Sequence, residues 1–295
     1  MGNLEEQKKD SLYETEERDL VSVDEQPHHR SLLFSLFAFL SQLKSLLLTM
    51  LPFILFGLLY NSMRYCPNYL FGDIDIRGIY ETEREWFGIG ILTPNEWWAV
   101  HATPVLDFLA GCFYLMWVPL PVVFGIWLFF TGRRELCFRY SCAFLFINIL
   151  GFIGYYLHPA APPWYVAKFG FDPLFDTGGD AAGLVRFDAL IGLPVFQTIY
   201  SGNSNVFAAV PSLHAAYCPV AAFYALKAGD SWWSLVLGIF SIGIWWTAVY
   251  SAHHYVIDVL LGILVLILGL ILFERMLMRW LWWQAWMRRY VRRLK

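Results

Sequence analysis

A chain of 295 residues in which 58% are hydrophobic, 19% aromatic and only 15% charged has too little polar surface to cover a water-soluble globule. That composition excludes a soluble enzyme and implies an integral membrane protein. The net charge of −3 conceals an asymmetry, acidic over residues 1–30 and rich in arginine and tryptophan from Arg275 to Lys295, and no nucleic-acid partner is expected.

In chain order, the acidic segment 1–30 lacks the short basic region and cleavage site of a secretory signal, so the first apolar segment is expected to remain as an anchor. Residues 31–43 (SLLFSLFAFLSQL), cut off by Lys44, are too short to span and read as an amphipathic helix along the interface. Runs near the roughly twenty residues that a crossing helix needs follow at 45–63, 104–131, 138–157, 211–228, 232–250 and 254–274. The second contains Pro119 and Pro121, which predict a kink. The expected fold class is an all-α integral membrane protein: six transmembrane helices with an N-terminal interfacial amphipathic helix. Its parts are a polar cytosolic segment 1–30, a membrane domain 31–274 and a basic aromatic cytosolic tail 275–295.

Six spans put both ends on one side, and Arg133, Arg134, Arg139, Lys227, Arg288, Arg289, Arg292 and Arg293 make that side cytosolic by the positive-inside rule. The long connections 64–103 and 158–210, and the short one from Ser251 to His253, then lie on the extracytosolic face. The connection 158–210 (HPAAPPWYVAKFGFDPLF and onward) suits an ordered cover over a site. The five cysteines show no metal-ligand or redox spacing, and no disulfide is expected.

Two segments on that face carry ionisable groups, VPSLHAAY (Val210 to Tyr217) and AHHYVID (Ala252 to Asp258). Charge at membrane depth is costly and points to function. Residues four apart share a helix face, so Asp258 is placed to hold one nitrogen of His254 and expose the other as a nucleophile. His214 supplies the complementary acid and base. The free N–H groups of the helix starting near Ser212 favour an anion such as phosphate. His101, His158 and His253, each taken alone, read as interfacial or hydrogen-bonded residues, and His28 and His29 as solvated ones.

The pair PSLH (Pro211 to His214) and HxxxD (His254 to Asp258) resembles the second and third signature motifs of the type 2 phosphatidic acid phosphatase superfamily, six-helix membrane enzymes that work through a phosphohistidine. Within it, GNSNVFAAVPSLH (Gly202 to His214), WWTAVYSAHHYVID (Trp245 to Asp258), PAAPPWY (Pro159 to Tyr165) and TPVLDFLA (Thr103 to Ala110) are similar to the fungal inositol phosphorylceramide synthases, over roughly residues 100–265. The chain departs from the lipid phosphatases in lacking their KxxxxxxRP motif and in carrying Ala248 where they have an arginine. Lys168 and Arg186 are the nearest replacement cations.

The resemblance implies a phosphotransferase that moves phosphoinositol from phosphatidylinositol to ceramide or dihydroceramide and releases diacylglycerol, in a bacterial inner membrane or a Golgi-type membrane. His254, Asp258 and His214 are the expected catalytic residues. Substrate contacts are expected at Ser212, Leu213, Trp164, Tyr165, Lys168 and His253. Phosphatidylinositol and ceramide are the expected lipid partners, with no metal and no organic cofactor. The rivals are a lipid phosphate phosphatase, a transferase of another head group such as phosphocholine or phosphoethanolamine, and a non-catalytic lipid carrier.

Overall fold

The computed structural model describes residues 26–175, 177–202 and 205–294. The chain divides into two compact units, residues 1–48 and 49–295. Most of the acidic segment 1–30 lies outside the described residues. The first unit is described by helix α1, Gln26–Thr49, which runs for 24 residues through Lys44. The separate interfacial helix expected over 31–43 is therefore the interior of a longer one. Lysine interrupts the apolar pattern without disturbing backbone hydrogen bonds, and it is a good helix former.

The second unit is helical throughout, with isolated backbone bridges and no strand among the described residues. Its helices are α2 (Leu51–Ser62), α3 (Arg77–Phe87), α4 (Pro94–Val100), α5 (Pro104–Leu115), α6 (Pro119–Phe130), α7 (Arg134–Leu157) and α8 (Pro163–Phe169). There follow α9 (Val185–Ile191), α10 (Val195–Ser201), α11 (His214–Lys227), α12 (Ser231–Tyr250), α13 (Val256–Ile271) and α14 (Leu281–Arg292). Local chemistry sets several of these starts. Thr93 and Glu96 form a reciprocal capping box at α4, Asp230 Oδ1 accepts from Trp233 N–H at α12, and prolines occupy the first turns of α4, α5, α6 and α8.

Three helices are long and apolar enough to cross a bilayer, Arg134–Leu157, Ser231–Tyr250 and Val256–Arg279, and five candidates result if each of two interrupted pairs is one span. One pair is α5 and α6, bent by 41° just before Pro119, as the prolines predict. The run 211–228 is not among these candidates. Only 14 residues of it are helical, roughly 21 Å at 1.5 Å per residue, against a hydrocarbon core of about 30 Å. α11 packs against α6, α7, α12 and α13. Its alanines 215, 216, 221 and 225 are buried and permit that close packing.

Backbone-to-backbone approach at one end of α11 builds the ground for a site. Gly262 of α13 lies under the PSLH segment, where a Cβ would stand 2.0 Å from the Ser212 carbonyl oxygen. Gly151 and Gly154 of α7 receive the side chains of Leu213 and Pro211 in the same way. At the other end, Glu274 accepts from Arg139 Nε at 2.9 Å and also pairs with Lys227 and Tyr224, tying α7 and α11 to the turns that follow α13.

The connections over the site end of α11 are bound to one another. Asp75 N–H donates to Pro159 O (2.8 Å), Ala161 N–H to Asp75 O (3.0 Å) and Ala160 N–H to Phe207 O (3.0 Å). Buried Asn68 donates to the carbonyls of Tyr155 and Phe207 and accepts from Asn205. This is an ordered cover in the physical sense, its buried polar groups paired across distant segments.

Because the Gly262 contact is with backbone, Gly262→Ala is expected to lower stability by about 1–3 kcal/mol or to prevent folding. Gly238→Ala, on α12 with nothing within 4 Å of the added carbon, is expected to be neutral or mildly stabilising. Thermal unfolding of the two purified variants compares them directly.

Candidate active site

The turn between α12 and α13 carries the reactive groups. The N–H groups of His253 and His254 both donate to Ala248 O at 3.0 Å, closing the end of α12. Ala252 takes φ +58°, a left-handed conformation that costs a non-glycine residue roughly 1–2 kcal/mol. Trp164 N–H of α8 holds that turn by donating to Ala252 O at 3.0 Å. His254, His214 and Asp258 then converge. His254 Nε2 is 3.0 Å from His214 Nδ1, and its Nδ1 is 3.4 Å from Asp258 Oδ2, close enough for an ion pair but without a formed hydrogen bond. Asp258 is fully buried, and its Oδ2 also accepts from Tyr255 N–H at 2.9 Å. The ring of Tyr114 stacks on His214 at 5.1 Å and that of Trp117 meets it edge-on at 4.4 Å.

These two imidazoles open onto a cavity of about 170 Å³ walled mostly by apolar and aromatic groups, among them Trp117, Trp164, Tyr200, Leu213 and His253. Of the positions expected to meet substrate, Trp164, Leu213 and His253 line it, and His253 is held by Ser251 Oγ at 2.8 Å from its Nδ1. Ser212 is fully buried behind it, its N–H on Asp258 O at 2.9 Å and its Oγ without a hydrogen-bond partner. The start of α11, with the positive end of its helix dipole, lies beside the histidines.

Three of the expected positions are absent from the cavity wall. Tyr165 faces away from the cavity and braces the covering loop, its hydroxyl donating to Asp172 O and accepting from Leu174 N–H, both at 2.7 Å. Lys168 pairs with Asp180. Arg186 binds Asp107 Oδ1 at 2.6 Å through Nε, where Tyr250 also donates. A carboxylate brought close by the fold outcompetes the cavity for each cation, and among the described residues no lysine or arginine lines it. His158, 3.3 Å from Asp75, and His101, stacked on Trp97, also lie elsewhere.

Two side chains at the site were not legible in the sequence. Glu83 of α3 is fully buried and accepts from the N–H groups of Val256 (2.9 Å) and Ile257 (3.1 Å), the first residues of α13. Burial pushes its pKa up to about 7 against those two bonds, with the charge of Asp258 acting in the same direction. Asn95 of α4 donates through Nδ2 to Val249 O (2.8 Å) and His254 O (2.9 Å).

The sequence model of the PAP2 superfamily matches residues 77–272, a stretch that includes Glu83 and every residue of the His254, His214 and Asp258 cluster. The chain belongs to the PAP2 superfamily. Within it, this PAP2 chain is 50% identical over 243 residues to a phosphoinositol dihydroceramide synthase of Bacteroides thetaiotaomicron, covering 80% of this chain and 79% of that protein. It is 32% identical over 178 residues to an inositol phosphorylceramide synthase of Candida albicans, 60% of this chain and 37% of that one. It is 28% identical over 214 residues to the inositol phosphorylceramide synthase catalytic subunit of Saccharomyces cerevisiae, 72% of this chain and 52% of that one. The chain thus spans about half or less of these fungal relatives. No solved structure matches it at a significant level.

Lys168 is half exposed, and an exposed ion pair contributes about 0–1 kcal/mol. Lys168→Gln is therefore expected to leave both stability and turnover within about twofold of the parent protein, measured by thermal unfolding and initial rates. A loss of an order of magnitude in turnover would return this lysine to the site.

Proposed function

We propose that this chain is a membrane-embedded transferase that moves phosphoinositol from phosphatidylinositol to the primary hydroxyl of ceramide or dihydroceramide, releasing diacylglycerol. The observation that carries the reading is the imidazole of His254, set between the Asp258 carboxylate and the second imidazole of His214 at the wall of an apolar cavity. The half-identity to a protein named for this activity over most of both chains supports the choice of substrates.

In the first step His254 Nε2 attacks phosphorus, the bond from phosphorus to the diacylglycerol oxygen breaks, and His214 gives that oxygen its proton. Asp258 stabilises the positive charge that develops on the His254 ring. In the second step His214 takes the proton of the ceramide hydroxyl, whose oxygen attacks phosphorus and displaces His254. The phosphate occupies the space where the two histidines now meet. A phosphodiester bears one negative charge, which the positive dipole end of α11 favours without a cation. A cavity of about 170 Å³ takes the head-group region, with the acyl chains left in the bilayer. Trp164 and its neighbours keep water from the phosphohistidine, so that a lipid hydroxyl is the acceptor.

Incubation of purified protein with labelled phosphatidylinositol and dihydroceramide is expected to yield the phosphoinositol lipid and diacylglycerol in equal amounts by mass spectrometry. His254→Ala and His214→Ala should lower turnover by about three orders of magnitude or more while leaving folded protein, and Asp258→Asn should impair it severely. Trp164→Ala should divert part of the flux to free inositol phosphate. Release of inositol phosphate at one rate with or without dihydroceramide would make the protein a phosphatase.

The site faces the extracytosolic side in this reading, on the strength of the arginine distribution. Cys66 is exposed in the connection from α2 to α3. A membrane-impermeant thiol reagent applied from that side should label Cys66, and should not label Arg133→Cys in a Cys66→Ser background. The opposite pattern would reverse the orientation.

A further inference from the structure

Asp258 faces two demands. It sits in the first turn of α13, where a carboxylate is the natural acceptor for the helix's own unpaired N–H groups. It is also the carboxylate beside His254 Nδ1, at 3.4 Å. Three backbone donors at this helix start need acceptors, Tyr255 N–H, Val256 N–H and Ile257 N–H. Asp258 Oδ2 takes the first at 2.9 Å. Glu83, from a helix 173 residues earlier in the chain, takes the other two, one on each carboxylate oxygen, at 2.9 and 3.1 Å. Asp258 Oδ1 is left with no hydrogen-bond partner in the protein.

We infer that Glu83 is a positioning residue for the reaction: by accepting from Val256 and Ile257 N–H from another helix, it leaves Asp258 only Tyr255 N–H to cap and keeps its carboxylate beside His254. Asn95 completes the arrangement from the other flank, fixing the backbone carbonyl of His254 itself. Both residues are buried, and neither lines the cavity. Helix α4 is anchored for this purpose by the Thr93 and Glu96 capping box, and Tyr80 of α3 donates to Glu96 at 3.0 Å, so the two short helices hold the turn as one unit. Without Glu83, the N–H groups of Val256 and Ile257 would be unpaired, and the nearest carboxylate able to turn toward them is that of Asp258.

The inference rests on the histidine-transfer reading above, and the test separates the two. Steady-state kinetics with phosphatidylinositol and dihydroceramide are measured on the full chain for the parent, Glu83→Gln, Glu83→Asp, Asp258→Asn and the Glu83→Gln/Asp258→Asn double variant. Glu83→Gln should lower kcat about tenfold to a hundredfold with KM changed by less than about twofold, because the residue acts through Asp258 and touches no substrate. Glu83→Asp should recover part of the loss. In the Asp258→Asn background the same change should cost less than about threefold, the non-additivity expected of residues that act through one group.

Equal losses in both backgrounds, or a rise in KM with kcat intact, would overturn the inference and leave Glu83 a structural residue. If Glu83→Gln does not fold, Glu83→Asp is read by the same two criteria. A parent protein that makes no phosphoinositol lipid rejects the underlying reaction. A parent that makes it while Glu83→Gln is unimpaired rejects only the role given to Glu83.

Discussion

The geometry of the site depends on how closely two helix beginnings approach. Ser212 N–H donates to the Asp258 carbonyl at 2.9 Å, and Gly262, one turn further along α13, leaves the Ser212 carbonyl room to lie against bare backbone. That contact sets the distance between the element that starts with His214 and the one that carries Asp258. Both helices present their N-terminal ends to one small volume, so two positive dipole ends converge there. An environment of that kind favours anions, which in this chain means the Asp258 carboxylate on one side and a phosphate on the other in the proposed reaction.

The absence of lysine and arginine from the described cavity wall gains meaning from this. Each cation expected there is drawn away by a carboxylate, Lys168 by Asp180 and Arg186 by Asp107. What remains is an apolar, aromatic enclosure in which the imidazoles of His214 and His254 meet, with His253 beside them. Such an enclosure suits a singly charged diester and a neutral alcohol better than a doubly charged monoester, whose second charge would lack a counter-ion. The aromatic wall also makes water a poor competitor, which is the condition that separates transfer from hydrolysis on the proposed pathway.

Much of this arrangement was legible because it is local. His254 and Asp258 are four residues apart and do meet, although His254 lies in the turn before α13 rather than on the helix, and PSLH lies directly before the helix that it starts. The kink between α5 and α6 follows from Pro119. What was not legible depends on distant pairing. The string ETEREWF reads as an exposed charged turn, and nothing in it distinguishes Glu83, which is buried against residues 256 and 257, from Glu81 and Glu85, which are exposed. Asn95 reaches its partner across 159 residues. The run 211–228 is apolar enough to suggest a span, yet its helix packs against α6, α7, α12 and α13, and hydropathy does not tell a protein neighbour from a lipid one. Lys44 divides the apolar runs 31–43 and 45–63 in the sequence, whereas the helical backbone passes through it to Thr49.

The central claim is that His254 forms a covalent bond to phosphorus, and the most direct measurement is the mass of the enzyme itself during a single turnover. Protein mixed with phosphatidylinositol in the absence of any ceramide, quenched under basic conditions and digested, should show one added phosphoinositol group on the peptide containing His254, with diacylglycerol released in equal amount. The adduct should vanish when dihydroceramide is added before the quench, and should never form in His254→Ala. Formation of the phosphoinositol lipid at full rate with no adduct on His254, or with the adduct on another residue, would contradict the account.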